Sequence, residues 1–376
     1  MSDATNTATA ETKPRKTRED VAEMLERGES FHEEDLDGLD LGGLDFGGSN
    51  FLDTSLKGTS FKGARLTEST FASCDLTGAD LSGAMAKDCQ FHDCDLTAVR
   101  LDGAVLTRSA FNESALDEAS AVGTDLSYTP WLKVSMKGIV LTDATLELAS
   151  FVEVDFEGTS FAGVNLDRTT FMELDLTKVR DFELARFKQT TLFRNDLRGH
   201  VFRGADLGLC QLMECKLDGC DFGGAKLKQT NFGSSSLRGA IFRDTELEQG
   251  LFPKADVTGA SFAGARMSQA IFVEAIVANA DFSKAKADLA VFQKADCTGA
   301  VFTDADLTYA DFSYANLKDA DLRATLFRAR FQGSTHENTR FGVSKMTARS
   351  DDPEQTESDA WWAKHRHERP QEGPLK

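Results

Sequence analysis

Large apolar residues recur at every fifth position over most of this chain. The series opens with Phe31, Leu36, Leu41, Phe46, Phe51 and Leu56 and keeps that register to Leu176. One extra residue between Thr177 and Asp181 displaces it. It resumes at Phe182, Phe187 and Leu192 and holds to Phe327. A period of five matches neither the about 3.6 residues of an α-helix nor the about 2 of a flat strand.

The positions between these centres are also patterned. Two residues before a centre the side chain is small: Ala64, Cys74, Ala79, Thr159, Ala205. From Ala255 to Ala320 that position is always Ala. The residue just before the centre is often Asp or Asn, as at Asp80 and Asn316, and the residue two after is often Gly, as at Gly58 and Gly219. On an extended backbone, residues two apart point the same way. The large and small residues therefore point inward, and the Asp and the residue after the centre point outward. Gly supplies a tight corner. One pentad is a very short strand plus a corner.

Identity repeats at twenty as well as at five. One column reads Phe51, Phe71, Phe91, Phe111, Trp131, Phe151; another reads Leu56, Leu76, Leu96, Leu116, Met136, Phe156. Four pentads thus make one coil of a square solenoid, and like side chains stack from coil to coil. The extra residue near 177–181 leaves the columns intact, so it reads as a bulge within one coil. The whole series from Phe31 fills about fifteen coils, and a poorer sixteenth comes after a one-residue shortening, with Phe331, His336, Phe341 and Met346 as its centres. At about 4.8 Å per coil the expected length is roughly 75 Å.

The pentads at 79–83 (ADLSG), 305–309 (ADLTY), 310–314 (ADFSY) and 315–319 (ANLKD) carry a resemblance to the pentapeptide-repeat family, whose unit is similar to A(D/N)LXX. The resemblance covers residues 29–348. It implies an all-β fold, a right-handed quadrilateral parallel β-helix of about 15–16 coils. It does not imply one function, because folds host many. Some members mimic DNA and bind type II topoisomerases such as DNA gyrase. The opening stretch LDGLDLGGLDFGGSNF also resembles pentapeptide proteins associated with bacterial type VI secretion.

Outside the repeat, residues 1–17 are polar and read as disordered. Residues 18–28 read as a short capping helix, with Val21, Met24 and Leu25 on one face. It would protect the open edge of the first coil. Residues 349–376 read as a mostly disordered tail. Trp361 and Trp362 stand out in it, either as a cap on the last coil or as a short motif for a partner.

The chain has 376 residues and a net charge of −19. That balance argues against direct nucleic-acid binding, which needs clustered Lys and Arg. No leader pattern and no membrane-length apolar run is present, so membrane insertion is not expected, and the reading is cytoplasmic. Of the seven cysteines, six (Cys74, Cys89, Cys94, Cys210, Cys215, Cys220) hold the small inward position and Cys297 holds a centre. They read as core filling, not as metal ligands or disulfides. The histidines are scattered, and no nucleotide-binding loop is found. No catalytic residue, cofactor or metal is assigned.

Two outward features remain. On one face Asp recurs, including Asp75, Asp95, Asp155, Asp175 and Asp196. This acidic column is the basis of the DNA-mimic alternative, and the net charge of the repeat array as a whole comes to roughly a third of the charge density of duplex DNA. On another face the residue after the centre is apolar in five consecutive coils: Leu132, Val152, Met172, Phe193 and Met213; Pro253, Val273 and Ile271 extend the same face with gaps. Contiguous exposed apolar surface marks interaction sites. The sequence therefore points to a non-enzymatic adaptor or scaffold that binds a protein partner or forms a homodimer through this stripe.

Overall fold

The computed structural model describes residues 15–364. Most of its corners repeat one construction, and the corners after Phe51, Phe71 and their column down to Leu212 are bends without it. The carbonyl of a central residue accepts a hydrogen bond from the backbone N–H three residues on, as from Thr59 to Leu56 (3.1 Å) and from Ala265 to Phe262 (3.0 Å). The residue two after the centre takes a positive φ: 62° at Gly58, 59° at Gln249. This is the type II turn. Glu, Lys, Gln, Asp and Leu share the position with Gly, but among the described residues no Val, Ile or Thr does. Branching at Cβ is worst tolerated there.

The Asp before the centre completes the corner from outside. Asp80 Oδ1 accepts the backbone N–H of Ser82 at 2.9 Å, and Asp281 Oδ1 that of Ser283 at 2.9 Å. Such Asx turns explain the preference for Asp and Asn. The small inward residue also has a bonding task. Thr54 Oγ1 donates to the Phe31 carbonyl (3.1 Å), Ser69 Oγ to that of Phe46 (2.7 Å) and Cys89 Sγ to that of Leu66 (2.8 Å). Where no donor stands, Ala most often fills the space, with Val or Ile at positions such as Val99, Val134 and Ile139.

The chain divides into two compact units, one holding Met1–Thr145 and Val154–Thr159, the other Leu146–Glu153 and Ser160–Lys376. Both are parallel β-helices, with about sixteen turns of about twenty residues in all.

The first unit begins with helix α1 (Arg18–Glu26), whose N-terminus is closed by a Thr17–Asp20 capping box. Val21 and Met24 are buried, and Arg18 donates to the Gly42 carbonyl at 2.9 Å. Six strands follow: β1 (Phe31–His32), β2 (Asn50–Leu52), β3 (Thr70–Ala72), β4 (Gln90–His92), β5 (Ala110–Asn112) and β6 (Pro130–Leu132). Each pairs in parallel with the next, Phe31 with Phe51 and Phe51 with Phe71. Single bridges such as Asp35–Ser55, Asp40–Ser60 and Asp45–Arg65 repeat the step on the other faces. Phe51 and Phe71 stack at 4.6 Å. Trp131 continues the column, donating its indole N–H to Thr129 Oγ1 at 2.8 Å.

The second unit holds β7 (Ser150–Val152), β8 (Thr170–Met172), β9 (Thr191–Phe193) and β10 (Gln211–Met213), again parallel in order. Single bridges carry this ladder on through Asn231, Leu251, Ile271 and Val291 to Asp311, while β11 (Asp321–Leu322) and β12 (Arg340–Phe341) pair with each other on a different face. Inside, Phe252 and Phe272 stack at 4.6 Å, and Phe262 meets Phe272 edge-on at 5.7 Å. Two Phe columns thus interlock across the coil, in both geometries aromatic rings favour.

The extra residue is Asp181. It takes φ 54°, and its carboxylate accepts from Ser160 Oγ at 2.6 Å; a short 3-10 turn, Phe182–Leu184, follows. Phe171 still pairs with Leu192, so the slip is absorbed in one coil.

Two expectations are corrected. The centre series does not run to Phe327: Leu326 is the buried centre, and Phe327 is 46% exposed. The shortening therefore lies between Leu322 and Leu326, because the bridge from Asp306 to Thr325 already carries the new register. Phe327 packs edge-on against Tyr309 at 5.9 Å instead. The sixteenth coil closes poorly, with Phe331 buried but His336 and Met346 exposed.

The second correction concerns the tail. Residues 349–376 were expected to be mostly disordered, yet Pro353–Lys364 form helix α2. Pro353 stands in its first turn, where a missing N–H costs nothing. Asp352 Oδ1 accepts the backbone N–H of Glu354 at 3.0 Å. The buried Gln332 side chain holds the Asp352 N–H and the Thr356 hydroxyl, each at 2.8 Å. Trp361 lies in this helix, 49% exposed. Trp362 follows it, with its side chain outside the described residues. Residues 1–14 and 365–376 also lie outside them.

Candidate protein-binding face

Strands β1 to β10 all come from one face of their coils, and the outward side chains of that face carry no Asp, Glu, Lys or Arg. In the first unit they include Leu52 and Leu132, 43% and 41% exposed. In the second unit Val152, Met172, Phe193 and Met213 are direct cross-strand neighbours. Met172 is exposed and the other three are half-buried. The structure thus places four of the five stripe residues side by side in one unit, and Leu132 belongs to the other.

The stripe does not end at Met213. Further along the second unit the apolar residues change column, to the position just before the centre. Leu251, Ile271 and Val291 form consecutive bridges. With Leu289 they line a shallow groove of about 480 Å³, bordered by Gln229, Gln249 and Gln269. These glutamines hydrogen-bond in a ladder at 2.8 and 2.9 Å. The uncharged face continues unbroken to Val291 and Gln293; Asp311 ends it. Leu251 and Val291 were not singled out from the sequence because the apolar residue switches columns there. Sorting the residue before each centre would have found them.

The corner beside this face is charged. Arg194 bridges Glu173 at 3.1 Å and Glu214 at 2.8 Å, and its guanidinium lies over the Phe193 ring at 4.7 Å. Further on, Lys254 and Lys294 flank Glu274 at 3.8 and 3.9 Å. Glu214 and Glu173 hold the Arg194 guanidinium above its ordinary range.

The acidic column has another character. In each of its five residues a carboxylate oxygen accepts a backbone N–H two residues on: Thr77 for Asp75, Thr97 for Asp95, Glu157 for Asp155, Thr177 for Asp175 and Arg198 for Asp196. Three also have cationic partners, Lys57 at 2.8 Å from Asp75, Lys137 at 3.2 Å from Asp155 and Arg198 at 2.7 Å from Asp196. Burial pushes the Asp75 carboxyl up, but Lys57 and Thr77 hold it below the usual carboxylate range. The Thr177 hydroxyl and N–H lower Asp175 likewise. These carboxylates build corners first.

All seven cysteines are buried free thiols. Burial pushes Cys89, Cys210, Cys215 and Cys220 up to about 12. Such thiols are inert. His200 Nε2 lies 2.8 Å from the Leu176 carbonyl, and His92 Nδ1 is 3.0 Å from Asn112 Nδ2. Among the described residues no group of three or more His, Cys, Asp or Glu is arranged to hold a metal ion, and no helix is long and apolar enough to cross a membrane.

Two family models match the chain. "Pentapeptide repeat region" matches residues 31–121, and "Pentapeptide repeats (8 copies)" matches 149–180, 210–252, 254–286 and 288–323. No curated protein matches. Among solved structures, a pentapeptide repeat protein of the Arabidopsis thaliana thylakoid lumen is 32% identical over 25% of this chain and 65% of its own, just under two thirds, with a TM-score of 0.24. HetL, involved in heterocyst differentiation regulation in Nostoc sp. strain PCC 7120, is 23% identical over 73% of this chain and 98% of its own, with a TM-score of 0.18. QnrB1, a plasmid-mediated fluoroquinolone resistance protein, is 18% identical over 54% of this chain and 97% of its own, with a TM-score of 0.21. The family models, the twenty-residue coil and the repeated corner agree: this chain belongs to the pentapeptide-repeat family.

Proposed function

We propose that this protein is a non-catalytic scaffold that binds another protein through the uncharged face. The observation that carries this reading is the unbroken absence of charge on that face, in a chain whose residues are 27% charged. Apolar side chains occupy it in seven of eight successive coils of the second unit, all but that of Asn231 and Gly233, with a charged corner on one side and a glutamine corner on the other. An apolar strip with a polar rim is the anatomy of a protein interface. The free thiols suit a reducing compartment, which supports a cytoplasmic location. The test is affinity capture from the source cells with the wild-type chain and with Phe193→Asp/Ile271→Asp. Captured proteins should disappear with the double variant, whose circular dichroism should be unchanged. Capture that survives the double variant removes this face from the function.

A second reading is a DNA mimic acting on a type II topoisomerase. The bridged pairs Asp75–Asp95 and Asp175–Asp196 favour it, because they stack carboxylates coil on coil. The cationic partners of Asp75 and Asp196 weigh against it. Supercoiling by DNA gyrase in the presence of micromolar protein decides: no effect removes this alternative.

A further inference from the structure

The charged corner reads as its own complement. On one side of Ser234 stand Glu173, Arg194 and Glu214; on the other stand Lys254, Glu274 and Lys294. All occupy the same positive-φ corner position in successive coils. The first triplet is tied together by Arg194 and the second by Glu274. One therefore carries a net negative charge and the other a net positive charge.

We propose that the partner this face binds is a second copy of the chain, docked antiparallel about a two-fold axis that lies in the face over the coil of Ser234. The proposal rests on the reading of this face as a protein-binding surface. Rotation about such an axis reverses the order of the coils and sets each column against itself. Glu214 then faces Lys254, Arg194 faces Glu274, and Glu173 faces Lys294, each pair occurring twice as an isologous interface requires. The opposite corner, with Gln189, Leu209, Gln229, Gln249 and Gln269, brings no like charges together. On the strip itself Phe193 meets Val273, and Met213 meets Pro253. At the axis stands Gly233, which has no side chain to hold the two faces apart. A parallel pairing would set the charged corner against the glutamine corner and leave both triplets unanswered.

The contact from Glu173 to Lys294 spans six coil steps, roughly 29 Å. With a strip about 15 Å wide it buries roughly 900 Å² in total, the size of a weak interface. The dimer should therefore dissociate in the micromolar range.

Sedimentation equilibrium of the full chain, combined with cysteine cross-linking, tests the geometry. The native cysteines are buried and leave an introduced surface thiol as the reactive one. Ser234→Cys should cross-link into dimers under mild oxidation. Lys294→Cys should not, because its two copies would lie roughly 29 Å apart. Lys254→Glu should weaken association at least about tenfold, and Glu214→Lys/Lys254→Glu should restore most of it. A chain that stays monomeric to about 100 μM, or that cross-links through Lys294→Cys as readily as through Ser234→Cys, overturns the proposal. If the chain is monomeric but Phe193→Asp/Ile271→Asp still abolishes capture of another protein, the dimer falls and the binding face stands.

Discussion

At the residue scale, the pentad is a division of labour around one positive-φ corner. The position two after the centre demands a positive φ, which decides what can stand there. Gln249 has φ 59° and is one rung of the glutamine ladder. Gln249→Val should lower the unfolding free energy by about 1–3 kcal/mol, whereas Gln249→Gly should stay within about 1 kcal/mol of wild type. Urea unfolding of the two variants checks this. The Asp before the centre is a turn former, and its charge adds a pH dependence. Thr177 donates through its hydroxyl and its N–H to Asp175 and lowers that carboxyl. A lowered folded value means the contribution is complete above the unfolded value of about 3.9 and is lost as pH falls through the folded one. Asp175→Ala should thus cost about 1 kcal/mol at neutral pH, with the difference shrinking in acid. Asp175→Asn keeps an acceptor for the N–H and should lie between the two, without the pH dependence. The inward thiols are hydrogen-bonded core filling. They should resist aromatic disulfide reagents in the native protein and react in denaturant.

At the element scale, the coil tolerates one residue too many or one too few. Asp181 is accommodated by a single positive-φ residue and a 3-10 turn, and its neighbours keep their columns. Deleting Asp181 restores the five-residue spacing from Leu176 to the residue now at Phe182. The variant should fold, with an unfolding midpoint no lower than wild type. That the slip was one bulge was legible, because Phe171 and Leu192 stay in one column on either side of it. The later shortening was misplaced, because Leu326 and Phe327 are adjacent and equally apolar, and pattern alone cannot choose between them. The register of Asp306 with Thr325 chooses. Helix α2 escaped the pattern for a related reason. Its apolar content is low, and its hold is a buried glutamine twenty residues upstream of its cap. Gln332→Ala should speed hydrogen exchange across residues 353–364 while leaving the coils protected.

At the scale of the whole molecule, each coil touches only its neighbours, so stability accumulates coil by coil. Removing residues 233–252 takes out one complete coil of the second unit and rejoins Phe232 to Pro253 in register. The shortened chain should keep its β-rich circular dichroism and lose denaturant dependence in proportion to the surface removed. The sequence by itself determined the coil length, the inward columns and the outward assignment of every second residue. These follow from steric rules acting within five residues. It also placed an apolar stripe on one face, once residues twenty apart are compared. Only the tertiary structure decided which slips are absorbed where, which carboxylates are committed to turns and cations, and which corner charges pair along a column. Those outcomes depend on side chains from different coils meeting about 4.8 Å apart, with rotamers and φ values that no single pentad contains.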